Sequence, residues 1–134
     1  MMNAGKERLL AAAFTLLVIA AVIRALFMIG PIGEQRQRKF DEKRLSDLQR
    51  ISSSINYYFT THSELPGQLD VLVKEAGMNI PIRDPETGKL YEYHKISSER
   101  YELCATFSLG SGDQTELRWS HKAGHACFSM SVQR

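Results

Sequence analysis

Two cysteines and four histidines carry most of the site chemistry open to this 134-residue chain. Cys104 lies in YELCATF, where Tyr101, Leu103, Ala105 and Phe107 alternate as one apolar face. Cys127 lies in HACFSMSV, where Ala126, Phe128, Met130 and Val132 do the same. Side chains alternate with period two along a strand, so both thiols fall on the opposite, non-core face of a sheet. If the two strands are neighbours in register, a disulfide is geometrically open to them. Closing a loop of about two dozen residues would stabilise the fold by roughly 3 kcal/mol through chain entropy. Two unpaired thiols are the second reading. The third is a metal: His121, His125 and Cys127 in a His-x3-His-x-Cys spacing, with Cys104 as fourth ligand, could reach a tetrahedral zinc, although no CxxC pair frames them. His62 and His94 have no evident partner in the sequence. The expectation is a structural Cys104–Cys127 bridge, with no metal, cofactor or catalytic residue assigned.

Other chemistry is thin. The chain shows no Ser/His/Asp order, no recognisable paired-carboxylate motif and no phosphate-binding glycine loop, so an enzyme is not expected. Tyr91, Tyr93, Trp119 and the 108–115 loop (SLGSGDQT) form a candidate contact surface, with packing inside a sheet as the other reading of the aromatics. Seventeen basic and fifteen acidic residues leave a formal charge of +2, and they are interleaved. Nucleic-acid binding normally requires a clustered basic face, so no nucleic-acid partner is expected.

The elements that would position these residues follow from the spacing of apolar and breaker residues. Residues 9–29 (LLAAAFTLLVIAAVIRALFMI) form an apolar run whose only charge is Arg24. That length spans a hydrocarbon core of roughly 30 Å, and Arg24 is near enough to the boundary to snorkel toward headgroups. A cleaved signal peptide and a buried helix of a soluble domain are the rival readings, but signal h-regions are shorter and end at a small-x-small site. Gly30-Pro31-Ile32-Gly33 reads as a break or kink. Phe40, Leu45, Leu48, Ile51, Ile55, Tyr58 and Phe59 then recur at spacings of mostly three and four, which predicts an amphipathic helix over 34–61. The EQRQRKFDEKR stretch at its start is mixed in sign and reads as a solvated face. Leu65-Pro66-Gly67 stops this helix. A short helix over 68–76 follows, with Gly77 placed to cap it, and Glu86-Thr87-Gly88-Lys89 reads as a turn.

The remainder, 90–132, is strand-like: 90–96, 101–107 joined by a Ser97-Ser98-Glu99-Arg100 hairpin, a strand around 116–121, and 125–132. This predicts an α+β fold, with three or four antiparallel strands packing one face on the long helix. The division is 1–33 as membrane anchor and 34–134 as a globular domain. Orientation is contested by two signals. Lys6 and Arg8 precede the apolar run and Arg36, Arg38, Lys39, Lys43 and Arg44 follow it, so a positive-inside count keeps the C-terminal part in the cytoplasm. A disulfide instead favours the outside, because bridges persist in oxidising compartments.

The order of these pieces resembles a family. A single apolar N-terminal helix runs into an amphipathic one (DLQRISSSINYYF), followed by Leu65-Pro66, a short helix, Asp84-Pro85-Glu86-Thr87-Gly88 with Tyr91 and Tyr93, and a small sheet. This layout resembles the type IV pilin-like proteins, in particular the type II secretion major pseudopilins. The resemblance implies a helix-plus-antiparallel-sheet fold, residence in the inner membrane with the globular domain outside, and assembly with like subunits or other envelope proteins. It does not extend to the processing signature, a glycine followed by Phe-Thr-Leu-Ile-Glu. In Ala13-Phe14-Thr15-Leu16-Leu17-Val18, alanine stands for the glycine and Val18 for the glutamate that registers an incoming subunit. Nor does SLGSGDQTE, with one Asp and one Glu, match the family's calcium loop. The expected function is therefore a non-enzymatic, single-pass membrane protein with a structural or assembly role in a secretion or envelope system. The alternative is a monomeric, membrane-tethered binding module.

Overall fold

The computed structural model describes residues 4–29, 32–75, 79–112 and 115–132. Gly30, Pro31, the Gly77 cap and Asp113 of the 108–115 loop lie outside these. Two compact units emerge, Met1–Arg36 and Gln37–Arg134.

The first unit holds α1 (Ala4–Ile29). Leu9, Phe14, Leu17, Ile23, Phe27 and its other described large apolar side chains are solvent-facing. Among the described residues, one N-terminal helical stretch is long and apolar enough to cross a membrane, and none of its apolar window is buried in the protein. A core helix of a soluble domain would be covered, so an uncovered apolar stretch near the N-terminus suggests a membrane anchor or a signal. Thr15 causes no polar conflict there, because its hydroxyl donates back to the Ala11 and Ala12 carbonyls, the usual accommodation of a hydroxyl in an apolar helix.

The second unit is α+β. The helix α2 (Ile32–His62) begins two residues before the expected start and feeds its later turns into the core. Leu48, Ile51, Ile55 and Phe59 are buried at spacings of three, four and four, which keeps one stripe turned inward. Leu45 and Tyr58 flank that stripe, partly buried. The helix stops at Ser63 rather than at the Leu-Pro pair. Ser63 adopts a left-handed backbone (φ 58°) and its N–H donates to the Phe59 carbonyl at 2.8 Å, so it occupies the position where helices commonly end. Leu65 and Pro66 are instead buried as packing residues. The short helix α3 (Leu69–Glu75) lays Leu69 and Leu72 onto the same core.

Three strands complete the unit: β1 (Glu92–Lys95), β2 (Arg100–Phe107) and β3 (Gly124–Ser131). They form one antiparallel sheet in the order β1-β2-β3. The β1–β2 connection is the expected hairpin. Ile96 and Ser97 N–H groups donate to the Arg100 carbonyl, and the Ser97 hydroxyl accepts from the Arg100 N–H. Tyr101, Leu103, Ala105 and Phe107 of β2, with Phe128 and Met130 of β3, join the α2 stripe in one core.

The strand expected around 116–121 is absent. Residues Leu117–Trp119 form a single 3-10 turn. In a strand Leu117 and Trp119 would share a face, whereas here Trp119 is buried and Leu117 is 95% exposed. The Trp119 ring sits 5.0 Å from that of Phe128, and the tight turn brings it there. No described neighbour offers a ladder to this segment. Its pairing is local, between Ser111 and His121 across the loop.

Candidate functional site

The two cysteines occupy directly opposed positions in the register, Cys104 on β2 and Cys127 on β3. They are joined as a disulfide, with their Cα atoms 4.0 Å apart. Both project from the non-core face, yet their exposure differs: Cys104 is 1% exposed and Cys127 is open to solvent. The cause is topology. Cys104 sits on the central strand between Glu92 of β1 and Cys127 of β3, while Cys127 sits on an edge.

The histidines separate into different environments. His125 Nε2 approaches both carboxylate oxygens of Glu92, at 3.2 and 3.3 Å, and its Nδ1 lies 4.0 Å from Cys127 Sγ. His121 is drawn away from the cysteines and stacks on Phe107 at 3.7 Å between ring centroids. The His121–His125–Cys127 set is therefore not assembled. His62 and His94 do have partners. His62 Nε2 lies 2.6 Å from Glu75 and its ring stacks on Tyr58 at 4.2 Å, lining an open groove of about 730 Å³ between α2 and α3. His94 Nε2 is 3.6 Å from Glu92.

The aromatic contact surface does not form either. Tyr91 and Trp119 are buried in the core. Tyr93 is half-buried, and its hydroxyl donates to the Pro66 carbonyl at 2.9 Å, holding the chain after α2 against the sheet. Burial, reinforced by Tyr101, pushes the Tyr93 phenol up to about 12. These side chains tie the domain together.

The other concentration of polar groups lies where a solvated face was expected. Asp41, Arg44 and Asp47 on α2 are buried. The Arg44 guanidinium donates to Asp41 Oδ1 at 2.8 Å, to both oxygens of Asp84 and to Glu86. Asp41 is also the receptor for the end of β2, accepting from the Ser108 and Leu109 N–H groups at 2.9 and 2.7 Å. Asp84 organises its own turn by accepting from the Glu86 and Thr87 N–H groups at 2.9 and 2.8 Å. Gly88 completes that turn with φ +71°, a conformation that glycine adopts without steric penalty. Tyr91 donates to Asp47 at 3.1 Å, and Lys43 pairs with the other oxygen of Asp47. One guanidinium fork thus ties α2 to the 84–88 turn, and its Asp41 partner ties α2 to the loop after β2, the bidentate role for which arginine is suited.

These contacts set the acid behaviour. Burial alone would raise the Asp84 carboxyl, but the Arg44 hydrogen bond and the Thr87 and Glu86 amides overcome it and hold the group at about 2. A carboxylate depressed in the folded state adds stability above its unfolded pKa and loses it as pH falls through the folded one. The second unit is expected to lose about 2 kcal/mol between roughly pH 4 and pH 2 from this group. Urea unfolding followed across that range checks the loss, and Asp84→Asn should flatten it.

No protein-family model, curated protein or solved structure matches this chain. Among its described residues the chain is an α+β protein with one membrane-capable N-terminal helix and a small three-strand antiparallel sheet. A disulfide staples two of the strands.

Proposed function

We propose that this chain is a non-enzymatic, single-pass membrane protein whose pseudopilin-like domain lies outside the cytoplasm, with a structural or assembly role in a secretion or envelope system. The supporting observation is the order of parts. An uncovered apolar helix precedes an amphipathic helix that packs on a small antiparallel sheet, and a disulfide closes that sheet. The bridge favours an oxidising compartment, which sets it against the basic residues that follow α1. Partners are the lipid bilayer and like subunits or other envelope proteins. The rival module reading loses the exposed aromatic surface on which it was built, since Tyr91 and Trp119 are interior.

The test is labelling of Cys104 and Cys127 in intact cells by a membrane-impermeant thiol reagent, with and without prior reduction. Labelling only after reduction is expected, from a bridged domain outside. Labelling only after lysis and without reductant would put the domain in the cytoplasm and end this reading. Cross-linking of purified membranes then separates an assembly subunit, which gives ladders of the chain with itself or with partners, from a strictly monomeric tether.

A further inference from the structure

The outer face of the sheet brings together more ligand chemistry than a structural bridge needs. Glu92, Cys104 and Cys127 form one row across the three strands in register. His94 lies two residues along β1 from Glu92, and His125 two residues back along β3 from Cys127. The two-residue period puts all five on the same face. One ligand atom each from Cys104, His125 and Cys127 lies within 4.8 Å of the other two, and the same holds for Glu92, His94 and Cys104. The Cys104 sulfur belongs to both groups and sits where they meet.

We propose that this face is a reduction-gated zinc site, in which the opened Cys104 and Cys127 thiolates, Nδ1 of His125 and a ring nitrogen of His94 hold one Zn2+. Tetrahedral bonds of 2.0–2.3 Å place ligand atoms about 3.4–3.8 Å apart. Within each group, spacings of up to 4.8 Å need to contract by up to about 1.3 Å. The two sulfurs, bonded to each other in the bridge, have to separate once it opens. Cys104 is the point on which the His94 and His125 side chains then converge by rotation. Two thiolates and two imidazoles are the donor set that selects zinc over magnesium or calcium.

The orientation of His125 is already that of a ligand. With its Nε2–H donated to Glu92, its Nδ1 lone pair is left toward the Cys127 sulfur. This is the carboxylate–histidine–metal arrangement in which an outer carboxylate fixes the tautomer and raises ligand basicity. Glu92 also lies 3.6 Å from His94 Nε2, so the same carboxylate neighbours both imidazoles while hydrogen-bonding only that of His125. His121, which the bare spacing offered as a ligand, is engaged on the Phe107 ring instead.

The gate is the bridge. A dithiol reductant passes two electrons and two protons to the S–S bond and leaves as its own disulfide. Zn2+ then displaces the two thiol protons into solvent and takes the two thiolates. A disulfide oxidant reverses the sequence: it takes the two electrons from the thiolates and two protons from solvent as it is reduced to its dithiol. The Cys104–Cys127 bond re-forms, and the ion is released because neither sulfur of a disulfide is an anionic donor. Nothing in this depends on which way the anchor faces. In a reducing compartment the site stands assembled, and in an oxidising one it waits for a reductant.

The experiment is a Co2+ titration of the full chain in detergent micelles, oxidised and after reduction with the reductant removed anaerobically, followed by displacement with Zn2+. The reduced chain is expected to bind one Co2+ with a thiolate-to-cobalt charge-transfer band and tetrahedral visible bands, both bleached by Zn2+. The oxidised chain should show neither. His125→Ala should weaken Zn2+ binding by at least about tenfold, and Glu92→Gln by about 10–100-fold as an outer partner, while His121→Ala leaves it unchanged. Near-ultraviolet circular dichroism reports the fold in parallel. Absence of the bands in a reduced chain that stays folded, or the same affinity in His125→Ala, overturns the site. A reduced chain that loses its tertiary signal and does not regain it with Zn2+ overturns it equally.

Discussion

Arg44→Ala is expected to lower the unfolding free energy of the 37–134 unit by about 3–5 kcal/mol, the range for removing one partner of a buried ionic cluster. Arg44 is 3% exposed and Asp41 7% exposed, and the Asp84 side chain is 11% exposed, so the carboxylates left behind recover only part of their hydration in the closed structure. Asp41 would keep its Ser108 and Leu109 donors and Asp84 its two turn amides, but both would lose their counter-charge. Burial opposes the Arg44 charge, and its carboxylate hydrogen bonds outweigh that and push the pKa further up, so no accessible pH relieves the cluster by deprotonating it. Glu86 contributes little to the loss, because its side chain is 42% exposed and solvent screens it. Arg44→Lys should recover only part of the stability, since a single ammonium cannot span Asp41 and Asp84 as the fork does. Urea midpoints at constant m-value are the measurement. A shift within about 0.5 kcal/mol for Arg44→Ala would show that the cluster behaves like a surface ion pair.

This cluster is also where local sequence reasoning stopped short, for a physical reason. Periodicity arguments assign charged residues to solvent, and EQRQRKFDEKR carries almost nothing but charge and amide. Yet Asp41, Arg44, Leu48, Ile51 and Ile55 are spaced three, four, three and four, and all are buried. The inward stripe of α2 simply continues into polar residues, and following its phase upstream from Leu48 would have pointed at Arg44. What no local pattern contains is the partner. Asp84 lies 40 positions away, and only the closed domain pairs them. The cysteines were legible because strand phase is a strictly local property: two alternating segments fixed both thiols to one face. The histidines and aromatics were not, because whether Tyr91 is a contact or a core residue depends on what covers it. The missing strand at 116–121 failed for the same reason, since alternation can propose a strand but only a neighbouring edge can make one.

Removing the bridge is the second large effect. The double variant Cys104→Ala/Cys127→Ala is expected to cost roughly 3 kcal/mol, from chain entropy alone, for two residues 23 positions apart. Because β2 and β3 are already paired from Arg100↔Ser131 to Phe107↔Gly124, the bridge does not create the register. It restricts the unfolded chain and ties the edge strand to the centre. Denaturation of the oxidised chain, the reduced chain and the double variant separates these contributions. Reduced and double-variant chains should unfold at nearly the same midpoint, both well below the oxidised one, and Zn2+ should raise the midpoint of the reduced chain alone. A loss below about 1 kcal/mol would mean that the paired strands already constrain the unfolded ensemble. The bridge would then be retained for what its sulfurs can do, and the reduced state required for metal binding would be cheap to reach. A loss near the entropic value makes the same site self-limiting, since opening it gives up stability that only the bound ion returns.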